Sequence, residues 1–287
     1  MDDETIRTAI KAWNDDPTAA EAEYGHISTW DTGRVTDMSN LITITTMGAS
    51  ANSFNEDISA WDTSSVTDMN WMFFASDAFN APIGGWDVSK VTDMYYMFWG
   101  TKSFNQPIGD WQVHSVTNMN GMFLSAAAFN QPIGGWCVDN VEDMSSMLRG
   151  DDSVFNQPLS DWRVDKVKTM SYMFADNDAF NQDISGWRVD QVTSMQMMFN
   201  DASAFDQDLG WCVDDSVKLV SDWGGAFDGT PCASTSCGLT QVDDCPAPAP
   251  APPTSATCAA ALGSDDAKAR SVAFGLLVTV ALLGAAF

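Results

Sequence analysis

Phe104–Ala128 reads FNQPIGDWQVHSVTNMNGMFLSAAA, and a version of it returns through most of the chain. Its Trp recurs as Trp30, Trp61, Trp86, Trp111, Trp136, Trp162, Trp187 and Trp211, at gaps of 31, 25, 25, 25, 26, 25 and 24 residues. A fixed period in this range marks a repeat array, in which one unit buries too little apolar surface alone and must stack on its neighbours. The internal copies act as an alignment. Invariant slots hold a Phe (Phe54 to Phe205), an aliphatic residue four on (Ile58 to Leu209), the Trp, a Val five further on, and a Met-x-x-Met pair such as Met94 and Met97.

The Ile-x-x-Trp-x-Val stretch, as in Ile83–Val88, is aromatic and β-branched and predicts a short strand. Val-Thr-Asp-Met predicts a second extended step, and Met-x-x-Met-Phe puts its apolar groups at the spacing of one helical turn. The fold class expected is therefore an α/β repeat: a leucine-rich-repeat-like solenoid of ~25-residue coils with parallel strands on one side and short helical turns on the other, about eight coils forming a rod of roughly 40 Å. Residues 1–26 form a helical N-cap, with Ile6, Ala9, Ile10 and Trp13 on one face and Asp16-Pro17 opening a second helix that Gly25 ends. Residues 27–227 are the solenoid, 228–245 a Cys-rich cap, 246–270 a Pro/Ala-rich linker, and 271–287 an uncharged apolar tail. The first coil has six extra residues around LITITTMGASANS, read as a bulging loop.

The repeat FNQPIGxWDVSxVTDMxxMF resembles that of the BspA-like leucine-rich-repeat surface proteins, specifically the repeat of unknown function first noted in mycoplasma lipoproteins. The flanks IRTAIKAWNDDPTAAEAEYGHISTWDTGRVTDM and WCVDD…GTPCASTSCG look like those of algal versions, and the resemblance covers roughly residues 5–238. It implies the same solenoid and a surface role in adhesion or recognition, and it carries no catalytic residues.

Charge and composition narrow the function. With 39 acidic against 13 basic residues the net charge is −26, which disfavours nucleic acid and anionic lipid as partners. No Ser-His-Asp, metal-triad or phosphate-loop pattern occurs, so no enzyme, no cofactor, no metal site and no small-molecule substrate are expected. Met-x-x-Met suits Cu(I) thioether ligation, but 13 of the 16 methionines fill repeat slots beside Phe and Val, which reads as core packing. The Asn after each Phe (Asn55, Asn80, Asn105, Asn130, Asn156, Asn181) predicts a stacked hydrogen-bond ladder. The Asp of Val-Thr-Asp-Met (Asp37, Asp68, Asp93, Asp143) could stack carboxylates for Ca²⁺; its drift to Thr169 and Ser194 favours solvated surface.

The slot after the Trp changes charge sign between copies: Asp31, Asp62, Asp87, Gln112, Cys137, Arg163, Arg188, Cys212. A slot so free to vary faces solvent. With Lys166 it makes a stripe carrying a basic spot, the candidate contact for an extracellular protein or glycan, against the plainer reading of an exposed face. Cys212, Cys232, Cys237 and Cys245 are candidates for cap disulfides of open connectivity, and their clustering suits an oxidising compartment. Cys137, ~14 Å from Cys212 by strand spacing, is read as an unlinked thiol.

The tail, Ser271–Phe287, is short for a spanning helix and fits a GPI signal: small residues at Cys258 or Ala259, the spacer LGSDDAKAR, and an apolar end. That reading places the protein at the cell surface, membrane-anchored through its C-terminus. It also requires a secretory signal, which Met1-Asp2-Asp3-Glu4 does not begin, so it predicts a natural N-terminus upstream of Met1. The alternatives are a passive cell-coat component and a cytosolic tail-anchored scaffold.

Overall fold

The computed structural model describes residues 1–243 together with Cys245, Pro246 and Cys258. The chain divides into Met1–Pro250 and Ala251–Phe287; the linker beyond Pro246, Ala259 and the tail 271–287 lie outside the described residues.

Two helices open the chain. Helix α1 (Asp3–Asp15) buries Ile6, Ala9, Ile10 and Trp13, and Asp2 caps it by accepting from the Thr5 N–H. In α2 (Pro17–Tyr24) the Asp16 carboxylate caps the start by accepting from the Ala19 N–H, and Gly25 ends it at φ 76°. Helix α1 also closes the exposed edge of the first repeat. Asp3 Oδ1 accepts the N–H of Thr36 (2.6 Å) and Asp37 (3.1 Å), while Arg7 donates to the carbonyl of Ser39 (2.6 Å). An open backbone edge is a template for pairing with another chain; here one carboxylate and one guanidinium occupy its donors and acceptors.

Burial disfavours the charged form of Asp3, yet the Thr36 and Asp37 N–H groups outweigh it and hold the carboxyl below its ordinary value. A depressed folded-state pKa gives stability that is present above the unfolded value and is lost as pH falls through the folded one. Asp3→Ala is therefore expected to free the amides of Thr36 and Asp37 for exchange at pH 7, and acidification through that lowered value, below the ordinary carboxylate range, to do the same in the parent. Amide exchange at those positions, unchanged by substitution and by acid, would show that α1 does not seal this edge.

Successive repeats lie one on the next through a parallel ladder at the Val-Thr-Asp-Met slot, running Asp37, Asp68, Asp93, Asn118, Asp143, Thr169, Ser194 and Lys218. From the Met onward, alternate N–H groups donate to the following repeat: Met94 to Asn118, Tyr96 to Asn120, Phe98 to Met122 and Gly100 to Leu124. The N–H groups of Met97 and Trp99 instead close local turns onto Met94 and Tyr96. The Met-x-x-Met-Phe segment is thus a chain of turns, not the helical turn expected from its spacing. The residue two after the first Met is left-handed in every repeat, at φ 57° in Trp71 and 54° in Tyr96, which a right-handed helix forbids. Ile-x-x-Trp is likewise a turn and not a strand, because the Trp N–H is spent on the Ile carbonyl three residues back, as in Trp86 to Ile83 at 3.1 Å.

The core is a set of columns in which each side chain meets its copy in the next repeat. Trp61 and Trp86 stack at 6.5 Å and 2° between planes, and Phe104 and Phe129 at 6.0 Å and 10°. Each indole needs a partner for its N–H when buried, and finds it in the previous repeat, as Trp111 Nε1 does at the Ile83 carbonyl (3.2 Å). The Asn slot forms a side-chain ladder. The N–H of Asn105 donates to Asn80 Oδ1 and that of Asn130 to Asn105 Oδ1, each at 3.0 Å.

The extra residues of the first repeat are not a bulging loop. They form a short helix, α3 (Ile44–Met47), capped by Thr43, followed by a 3₁₀ segment, Gly48–Ser53. Met47 is buried, beside the regular core residues Leu41 and Ile42, and α3 packs on α1, so the insertion adds core where the cap meets the array. At the other end β1 (Cys212–Val213) pairs in parallel with β4 (Thr240–Gln241), and β2 (Val220–Ser221) and β3 (Gly224–Gly225) make a tight antiparallel hairpin.

Candidate functional site

In each repeat the side chains at Met, Met+3 and Met+4 enter the core, as Met69, Met72 and Phe73 do. The left-handed residue at Met+2 turns the chain toward the outer surface at Met+1, at Met+2 apart from the buried Gly121, and at Met+5 in Phe74, Trp99, Leu124 and Arg149; the other Met+5 residues, Thr43, Ala175 and Asn200, are buried. These slots lie outside the core columns and drift: Met+2 is Asn40, Trp71, Tyr96, Gly121, Ser146, Tyr172 and Met197. Two adjacent repeats fill them with rings. Trp71, Phe74, Tyr95, Tyr96 and Trp99 are all half-buried, and together they form a continuous aromatic patch.

The rings of this patch do not stack in register as the core columns do. Trp71 meets Tyr96 at 5.1 Å and 90°, Trp99 at 5.7 Å and 59°, and Phe74 at 4.7 Å and 66°. Tyr96 lies across the next repeat, over Gly121; a Cβ there would stand 1.8 Å from its ring. Burial, together with the hydrogen bond its O–H donates to Tyr95, pushes the Tyr96 phenol up. Beyond it a shallow cleft of about 490 Å³ opens, lined by Trp99, Leu124 and Arg149 among others. Arg149 is committed to Asp176 (2.9 Å) and to the face of Tyr172 (5.3 Å from the ring centre), and Lys102 to Asp77 (2.8 Å).

One edge of the patch is the carboxylate slot. Asp68 and Asp93 are paired across the ladder, and burial first, with Asp68 adding to it, raises the Asp93 carboxyl. Asp93 accepts the Tyr95 N–H at 2.8 Å, and Asp68 accepts from the Asn70 amide at 2.6 Å. Among the described residues no lysine or arginine forms an ion pair with either. Nor do any His, Cys, Asp or Glu side chains there converge as a metal site. At the far end of the same face the β2–β3 hairpin stands over Met197 and presents Trp223, 84% exposed.

The stripe after the Trp takes a different form. Asp31, Asp62, Asp87 and Gln112 are exposed, and the carboxylates of Asp62 and Asp87 accept the N–H of Ser64 and Ser89 two residues on. The two arginines of the basic spot are paired with carboxylates within the fold. Arg163 bridges Asp165 (3.0 Å) and Asp139 (3.5 Å), Arg188 bridges Asp190 (3.1 Å) and Asp165 (3.6 Å), and Lys166 donates to Asn140 Oδ1 (2.6 Å). Burial raises the Asp139 carboxyl despite Arg163 beside it.

Among the cysteines, Cys212 joins Cys245 and Cys232 joins Cys237. Cys137 is also disulfide-bonded, which corrects its reading as an unlinked thiol: distance from Cys212 excluded only that one partner. Cys258 is buried and disulfide-bonded as well.

The aromatic patch escaped the sequence reading because attention to invariant slots passed over what lay between them. The signal is NWMFFAS at 70–76 and YYMFWG at 95–100, where other copies read NGMFLS or SSMLRG.

A family model described as Mycoplasma protein of unknown function, DUF285, matches residues 9–136 and 128–234, together well over half the chain. No curated protein and no solved structure matches it.

Proposed function

The chain belongs to this family of Mycoplasma-type repeat proteins, and from that premise we propose that it is a non-enzymatic recognition protein of the cell surface. In this reading its repeats wind as a BspA-like, leucine-rich-repeat-like solenoid that presents an adhesive face to a protein or glycan outside the cell. The observation that carries it is the aromatic patch at Trp71, Phe74, Tyr95, Tyr96 and Trp99. The repeat keeps its interior constant and fills outward slots with large rings, whose exposure to water is unfavourable unless a partner covers them. Trp, Tyr and Arg are also the residues that dominate binding energy at protein interfaces.

Disulfides at Cys212–Cys245 and Cys232–Cys237 support an oxidising, extracytosolic setting over a cytosolic scaffold. No helix among the described residues is long and apolar enough to cross a membrane, and the proposed anchor, by GPI or by a spanning tail, falls in 271–287. A passive coat component needs no such patch.

Binding of the full chain and of Trp99→Ala to an extracellular-matrix and glycan panel tests the reading. A ligand held by the parent and weakened ~30-fold or more by the substitution is expected. No binding by either would leave the coat role standing, and equal binding by both would place recognition outside the aromatic patch.

A further inference from the structure

We infer that the aromatic patch takes a basic segment of a protein partner, in which arginine or lysine alternates with apolar side chains. This rests on the recognition reading and narrows it to one ligand class. The shape of the patch speaks first. Its rings meet at steep angles, 90° for Trp71 and Tyr96 and 59° for Trp71 and Trp99, so the surface is ridged. A sugar ring lies best against a flat aromatic face, whereas side chains of differing length fill ridges and notches.

Charge speaks second. The whole chain carries −26, a field that draws cationic segments and repels acidic ones. Locally, the cations of this face are already committed, Arg149 to Asp176 and Lys102 to Asp77. Asp68 and Asp93 stand as a stacked pair along the patch edge and hold neutral donors: the Asn70 amide and N–H on Asp68, and the Tyr95 N–H and the Asn118 side chain on Asp93. A guanidinium reaching that edge would find carboxylate oxygens on one side and the Trp71 or Tyr95 ring on the other. That combination suits arginine, which pairs in its plane and stacks on its face.

The full chain is titrated by calorimetry with a peptide alternating arginine and leucine, its glutamate-for-arginine and serine-for-leucine counterparts, and an uncharged glucan oligosaccharide. The arginine–leucine peptide is expected to bind with a Kd below about 1 mM and each other probe at least ~10-fold more weakly. Asp68→Asn with Asp93→Asn should weaken it about 10-fold, and Trp99→Ala about 30-fold. Asparagine already occupies this slot at Asn118, so the double variant keeps the backbone pairing; Asp93→Asn alone provides a milder second case. Glu21→Gln with Glu23→Gln, exposed on α2, removes the same charge elsewhere and should leave binding unchanged.

Three outcomes overturn the inference. If the α2 variant weakens binding as much as the Asp68/Asp93 variant, the attraction is that of the overall charge. If the oligosaccharide binds tighter and is lost in Trp99→Ala, the partner is a glycan, and the recognition reading survives. If no probe binds, the patch is not a site for basic segments, and the matrix and glycan panel decides the broader reading.

Discussion

Met122→Asp is expected to unfold the repeats on either side of it. The side chain has no solvent exposure and sits in the Met column, and its backbone carbonyl receives the Phe98 N–H from the repeat before. A carboxylate there must be desolvated or protonated with no partner, at a cost of about 4–5 kcal/mol or more. In an array each unit is held by its neighbours, so the loss spreads along the stack. Met122→Leu, which keeps volume and polarity, should cost under about 1.5 kcal/mol. Urea unfolding of both proteins reads the difference; matching midpoints would mean that this slot is not core.

The sequence alone suggests Arg163→Asp as a tolerated counterpart on an exposed stripe. The structure changes that expectation. Arg163 lies between Asp139 and Asp165 with its side chain 23% exposed, so the substitution would gather three carboxylates and cost roughly 1–3 kcal/mol.

These two positions show what was legible. Met122 recurs at a fixed place in six successive copies, with Leu41 in the first, and a slot kept apolar among copies that stack on one another means contact with the copy above and below. Arg163 occupies a slot that varies, and variation was read as solvent. Yet side chains in adjacent repeats meet across the ladder as intimately in variable slots as in fixed ones, so Arg163 finds Asp139 from the previous repeat. A one-dimensional reading compares like slots and does not see such diagonal pairs. The same reason hid the turn structure of Met-x-x-Met-Phe. Apolar spacing at three and four residues fits one helical turn, and only the ladder N–H groups, donated outward to the next repeat, decide against it. The extra helix α3 was unreadable for another reason: it has no sister copy in the other repeats, and it packs on α1, which lies outside the array.

Gly121→Ala is expected to dismantle the aromatic patch while leaving the array standing. Left-handed backbone is not the main obstacle, since Trp71, Tyr96, Ser146 and Tyr172 all occupy the same slot at φ between 54° and 60°. Its contribution is about 1 kcal/mol. The decisive term is the Tyr96 ring, 1.8 Å from where the new Cβ would stand. Tyr96 is half-buried and borders open space, so it will swing outward before the backbone yields, giving up its contacts with Trp71 at 5.1 Å and Trp99 at 4.7 Å. Total destabilisation of about 2–4 kcal/mol follows, most of it overpacking. Ligand binding to the patch should fall by about 30-fold or more, because ordered aromatic rings carry much of the energy at such faces. The cause can be isolated by a double-mutant cycle with Tyr96→Ser, in which no ring remains to be displaced. In that background Gly121→Ala should cost only the backbone contribution, so the two substitutions together should destabilise less than the sum of each alone. Strict additivity in thermal unfolding would mean that Gly121 is required for its backbone and not for the ring that lies on it.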